Sequence, residues 1–136
     1  MADFYIWSDA ELGLNVREMD KEHQELVLRM NDLYNGVENK VPTKQVQALI
    51  DSLAQYTVKH FTDEEAYMEK LGFPGLPTHK IIHQQLLTQF GNFVEEFKKT
   101  SVVTPAFFEF LKVWLTSHIK GIDKKYSEFT QAKKAA

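Results

Sequence analysis

Five histidines occupy positions 23, 60, 79, 83 and 118 of this chain. Two of the spacings suit a shared ligand. His60 and Glu64 lie four apart in the stretch HFTDEE, and His79 and His83 lie four apart in THKIIH. On a helix, side chains four apart share a face, and two ligands one turn apart are a common chelate. Alone, each has a plainer reading: an i, i+4 ion pair for His60 and Glu64, a satisfied core imidazole for His23 or His118. Together they argue otherwise. Buried without partners, each imidazole costs on the order of 1–3 kcal/mol, and a common metal centre satisfies all five.

Two carboxylates join them. Glu64 sits one turn from His60. Asp123 follows His118 by five, a rotation of about 140° on an ideal helix. A π-type bulge brings i and i+5 together, and Gly121 between them eases the distortion. The plainer reading of Asp123 is a solvated acid beside Lys124 and Lys125. Seven donors exceed the four that one zinc takes and suit two ions about 3.5–4 Å apart under bridging carboxylates. With a bridging oxygen from water and histidines divided three and two, one ion has six ligands and the other five, with one position open. Imidazole and carboxylate mixtures suit iron, and ligand type leaves zinc, nickel and manganese open.

Four helices must position these groups. The first begins between Asn15 and Asp20 and runs to about Val37, its stripe Met19, His23, Leu26, Val27, Met30, Tyr34 and Val37. The second runs from Thr43 to Leu71, with Leu49, Leu53, His60, Glu64, Tyr67 and Leu71 on one face. GFPGLP ends it. The third, capped by Thr78, runs to about Lys99 with His79, His83, Leu87, Phe90, Val94 and Phe97. The fourth runs from Pro105 to Thr130 with Phe107, Leu111, Trp114, Leu115, His118, Ile122 and Phe129. Short connections make neighbours antiparallel, which predicts an all-α, up-down-up-down four-helix bundle. Residues 1–17, with Phe4, Tyr5, Ile6, Trp7 and Leu12, are too apolar for a solvated tail and are expected to pack as an arm. The tail at 131–136 is expected to fray. Residues 1–136 form one domain on this reading.

Composition narrows the function. The chain has 136 residues, 43% of them hydrophobic, enough for a real core. A net charge of −3 argues against nucleic acid. No apolar run is long enough for a membrane span. Without cysteine there is no disulfide, thiolate site or thiol nucleophile. With no secretory pattern at the start, a cytoplasmic monomer is the expectation.

His23, His60-x-x-x-Glu64, His79-x-x-x-His83 and His118-x-x-x-x-Asp123, in this order on four helices, resemble hemerythrin, and the single-domain bacterial members in particular. The resemblance covers essentially the whole chain. It implies an oxo- or hydroxo-bridged pair of iron ions that binds dioxygen reversibly, for storage, transport or delivery, with no enzymatic role. It implies that His79, His83 and His118 hold the saturated iron and His23 and His60 the open one, with Glu64 and Asp123 bridging. Helix neighbours of the ligands, Leu26, Phe61, Leu86, Trp114, Leu115 and Ile119, are expected to line an apolar oxygen pocket, with Leu115 its gate. Tyr126, three residues after Asp123, is expected to hold that carboxylate. Asp63 and Glu65 are expected to face solvent. Alternative functions are oxygen or redox sensing, a di-iron peroxidase or nitric-oxide-handling enzyme, and iron buffering.

Overall fold

The computed structural model describes Tyr5, residues 12–14 and residues 16–135. It is a four-helix bundle, and the described residues contain no strand. Helix α1 spans Arg17–Glu38, α2 Thr43–Leu71 and α3 Leu76–Thr100. The fourth arm of the bundle is α4, Pro105–Ser117, a π-helical turn, His118–Asp123, and α5, Lys124–Ala135. No helix of the described residues is long and apolar enough to cross a membrane.

The chain's punctuation sets the helix ends. Gly72 stops α2 in the left-handed conformation, φ 74°, which suits glycine because it lacks a Cβ. Its N–H and that of Phe73 bond back to Glu69 O and Met68 O. The third helix starts earlier than Thr78, at Leu76. Pro77 has no N–H to leave unpaired and fits the first turn, so Gly75 stands at the cap position. Thr104 caps α4, its side chain accepting from Phe107 N, with Pro105 as the first helical residue. At the start of α1 the Asp20 carboxylate accepts from Leu14 N at 2.8 Å. Asn15 lies outside the described residues.

The core has two parts. Away from the histidines, Met30, Leu33, Ile50, Leu53, Phe107 and Leu111 pack with almost no exposure. The polar seven fill the rest of the bundle axis. The expected tail is helical to Ala135, one turn further than Thr130, and Lys133 Nζ donates to the Leu71 carbonyl at 2.6 Å. That contact satisfies one of the α2 carbonyls left open at its C-terminus.

Of the expected arm, Phe4, Ile6 and Trp7 lie outside the described residues, while Tyr5, Leu12, Leu14 and Val16 are buried. Asn31 on α1 treats Tyr5 as a strand would. Its Oδ1 accepts from Tyr5 N and its Nδ2 donates to Tyr5 O, both at 2.8 Å. Asn31→Ala leaves both backbone groups without a protein partner, at a cost of about 1–3 kcal/mol. Thermal unfolding should show a lower midpoint together with faster proteolysis before Leu14. An unchanged midpoint would mean that the arm adds nothing to stability.

Candidate metal centre

The π turn places the seventh donor. In an α-helix His118 and Asp123 would diverge. The wider turn over His118–Asp123 lets both side chains enter the bundle, with His118 Nε2 and Asp123 Oδ1 2.9 Å apart. Gly121 lies in this turn, but a methyl there would meet nothing within 4 Å, so the bend does not demand glycine sterically.

All seven donors predicted from the sequence are buried and converge. They form two overlapping sets, each with its donor atoms within 4.8 Å of one another. One set is His79, His83, His118, Glu64 and Asp123; the other is His23, His60, Glu64 and Asp123. The carboxylates belong to both, and each divides its oxygens between them. Glu64 Oε1 faces His83 Nε2 at 2.9 Å and His79 Nε2 at 3.1 Å, and its Oε2 faces His60 Nε2 at 3.3 Å and His23 Nε2 at 3.4 Å. Asp123 Oδ1 faces His118 at 2.9 Å and His79 at 3.0 Å, and its Oδ2 faces His23 at 3.1 Å.

Hydrogen bonding does not account for this packing. His79, His83 and His118 turn Nε2 toward one another, with 3.2 Å from each of the first two to the third. A ring nitrogen carries at most one hydrogen, so three such atoms around one point cannot all be satisfied by one another. The His23 Nε2 and both Asp123 oxygens lack hydrogen-bonding geometry despite their close contacts. Buried donor atoms aimed at one point, more than their ring hydrogens can pair, fit a cation. With no sulfur in the set, the cation is one that accepts imidazole nitrogen and carboxylate oxygen together.

The chain matches the Hemerythrin HHE cation binding domain family over residues 14–129. The chain belongs to the hemerythrin family. A myohemerythrin of Riftia pachyptila is 37% identical over 90% of this chain and 90% of its own. A bacteriohemerythrin of Methylococcus capsulatus is 32% identical over 88% and 92%. A wild-type hemerythrin crystal structure superposes with a TM-score of 0.83 at 28% identity, covering 91% of this chain and 95% of that one. The protein therefore carries a metal-binding hemerythrin domain, and the buried cluster is the group of donors in it that could hold metal.

Carboxylates outside the cluster hold the far sides of two imidazoles, as is usual around metal-ligating histidines. The His60 Nδ1–H donates to Glu22 Oε1 at 2.7 Å, and the His83 Nδ1–H donates to Glu65 Oε2 at 2.8 Å. Each bond leaves the Nε2 lone pair for the cluster. The expectation that Glu65 faces solvent is thereby corrected, whereas Asp63 does pair outward, with Lys59 at 2.7 Å. Glu22 was not singled out in the sequence. Its only signal there is its place beside His23, because its partner lies on another helix. Tyr126 supports a carboxylate as expected, but the other one: its hydroxyl donates to Glu64 Oε2 at 2.8 Å.

Electrostatics couple these groups tightly. Burial pushes His60 down, but the Glu64 charge and the bonds to Glu22 and Glu64 outweigh it, and the imidazole is raised to about 10. Burial likewise opposes His118, and the charge of the Asp123 carboxylate beside it raises it to about 9. Burial would raise Glu64, yet the His60 charge and the imidazole hydrogen bonds hold it well below its ordinary range. Burial and then the Glu64 charge push the Tyr126 phenol well above its usual value, so it remains a donor.

Beside the four-donor set lies a closed, mostly apolar pocket, too tight in this conformation to hold a water molecule. Leu26, Phe61, Trp114, Leu115 and Ile119 line it together with His23, His60, His118 and Asp123. Five of the six expected pocket residues are thus placed there. Leu86 is not. It is half-buried on an outer groove with Ile82, Phe110 and Val113, on the far side of Trp114. Helix α3 presents His83 inward, and Leu86, three residues on, is rotated to the flank.

Proposed function

We propose that the cluster holds two iron ions and binds dioxygen reversibly, for storage or delivery, without catalysing a reaction. One observation carries this reading: both imidazoles of the set with fewer donors line the apolar pocket, against one of the three imidazoles of the other set. A pair of ferrous ions would supply the two electrons that bring dioxygen to the peroxide level and take them back on release.

The chain's own residues do the rest. His79, His83 and His118 would hold one ion and His23 and His60 the other, with Glu64 and Asp123 spanning both. Glu22 and Glu65 keep His60 and His83 in the tautomer that offers Nε2. Leu26, Phe61, Leu115 and Ile119 are each 3% exposed or less, and they exclude water from the pocket. Phe61 is held in place by stacking on His83, with ring centroids 3.8 Å apart and planes within 5°. Among these liners the protic group is the Trp114 indole, whose Nε1 has no hydrogen-bond partner. A wall so poor in proton donors favours release of the bound molecule over its conversion. The names of the relatives, myohemerythrin and bacteriohemerythrin, are consistent with this role.

Anaerobic titration of the ferrous protein with dioxygen tests the proposal. Uptake of one dioxygen per two irons, with a charge-transfer band that disappears under vacuum, is the expected result. Rapid irreversible oxidation with release of peroxide would reject it. Leu115→Tyr should leave the iron content at two, because Leu115 is not in either donor set, and should change the dioxygen off-rate or the autoxidation rate by crowding the pocket. If stopped-flow measurements find both rates unchanged, the pocket is not the binding space.

A further inference from the structure

The two donor sets are not equally enclosed. His118, at 6%, is the most exposed of the seven donors. It and His79 belong to the five-donor set, and each borders a cleft roomy enough for water. One cleft, of about 180 Å³, lies between the start of α3 and the π turn, where Phe73, Thr78 and Lys125 surround His79. The other, of about 370 Å³, reaches His118 beside Ser117. Ile82 and Ile122, each half-buried, line both clefts and cover this side of the cluster. The four-donor set is closed. His23 and His60 are each 1% exposed, and the pocket they border is too tight for water. Glu22 lies over the far side of His60, with Lys59 Nζ 3.7 Å beyond it. Coordination alone does not call for this difference, since a saturated ion gains nothing from water beside its imidazoles.

We infer that metal enters and leaves through the cleft beside His79, so that the five-donor set is the outer, exchangeable position and the four-donor set the inner, sealed one. The inference rests on the proposal that the cluster holds two ions. A divalent cation in the cleft meets His79 Nε2, with Asp123 Oδ1 at 3.0 Å and Glu64 Oε1 at 3.1 Å from that nitrogen. The second oxygens of the same carboxylates face the inner imidazoles: Asp123 Oδ2 faces His23, and Glu64 Oε2 faces His23 and His60. Each carboxylate therefore keeps hold of an ion that moves from the outer set to the inner one. The second ion then fills the outer set and closes the way. Removal runs in reverse. The outer ion leaves first, and the inner one follows through the emptied position. Lys125 holds a positive charge at the mouth, which slows the approach of cations. A centre that has lost one ion keeps the ion beside the apolar pocket.

The test withdraws iron from the anaerobic, loaded ferrous protein with an excess of a chelator that colours on binding ferrous iron. Two phases of one ion each are expected. Protein desalted after the first phase and crystallised should show anomalous scattering at the iron edge in the four-donor set. Ile82→Ala thins the cover and should speed the first phase several-fold. Lys125→Glu changes an exposed residue outside both donor sets. It should speed uptake of ferrous iron by the metal-free chain several-fold, an advantage that shrinks as salt is added. Withdrawal of both ions in one phase, iron remaining in the five-donor set, or uptake by Lys125→Glu at the wild-type rate would overturn the route. Iron content, measured first, separates the two ideas. A chain that takes up fewer than two ions refutes the two-iron function, whereas a chain that holds two and releases them in the other order refutes the route alone.

Discussion

Glu64→Ala is expected to abolish stable metal loading of both donor sets at once. Glu64 is one of two residues common to them, and it faces four imidazole Nε2 atoms at 2.9–3.4 Å through its two oxygens. Removing it leaves three imidazoles and one carboxylate in one set, and two imidazoles and the same carboxylate in the other. It also removes the acceptor of the buried Tyr126 hydroxyl. Loss of a hydrogen bond that merely supports a ligand costs a metal site about 10–100-fold in affinity, so loss of the shared ligand itself should cost more. His118→Ala provides the contrast. His118 belongs to the five-donor set only, and the other set keeps all its members. Its variant should lose the paired centre yet retain weak binding of a single ion. Glu64→Gln keeps the shape but not the charge, and an amide cannot offer two equivalent oxygens to two cations. It should behave like the alanine variant while preserving more of the helical circular dichroism. The readout is metal content after anaerobic iron loading and desalting. Wild-type content in Glu64→Ala would sink the two-sided role of this carboxylate.

The reason Glu64 could be singled out beforehand is local. Its four-residue spacing from His60 is a property of one helix, as is the pair His79 and His83, and the 3.6-residue period reports such pairs directly. The bundle followed from the same period, and α2 spans the expected Thr43–Leu71. Asp123 was harder, since five residues misalign two side chains unless the helix widens. Either a site between their two directions or a π turn would let them converge, and the structure contains the π turn at His118–Asp123. What could not be read was relation between helices. Glu22 on α1 serves His60 on α2, and Glu65 on α2 serves His83 on α3. No period within one segment announces such a pair. Tyr126 selects Glu64 over the nearer-numbered Asp123 for the same reason. Leu86 shows the limit from the apolar side: nearness to His83 in sequence fixes neither which wall of α3 it occupies nor what faces it. The start of α3 was misplaced by three residues because a threonine before an apolar run competes with a proline suited to the first turn, and the proline prevailed.

Removing the metal should leave a bundle whose stability peaks on the acid side of neutrality and falls as pH rises. His60 and His118 are raised in the folded metal-free chain to about 10 and about 9, from about 6.5 when unfolded. Groups raised on folding contribute stability that is fully present below the unfolded value and is lost as pH climbs through the folded one. Their contribution therefore declines from about pH 6.5 upward. Glu64 and Asp123 are held below their ordinary values by the imidazoles, after burial has opposed them. Their contribution is present above about pH 4 and is lost as pH falls further. The two limits leave a window between them in which the protonated imidazoles and ionised carboxylates stand in for the cations. Each raised unit corresponds to about 1.4 kcal/mol, so the alkaline loss amounts to several kcal/mol, a large part of the stability of a small domain. Metal replaces those protons at Nε2, so loading should release protons at neutral pH and remove the alkaline decline. Thermal midpoints between pH 5 and 9, measured by circular dichroism with chelator and with bound metal, separate the two forms. A metal-free midpoint that stays level or rises above pH 6.5 would show that the histidines are not held protonated by the carboxylates. The same electrostatics that make the empty cluster tolerable at mild acidity make it intolerable once the protons leave. The cluster is therefore built to contain positive charge in one form or another.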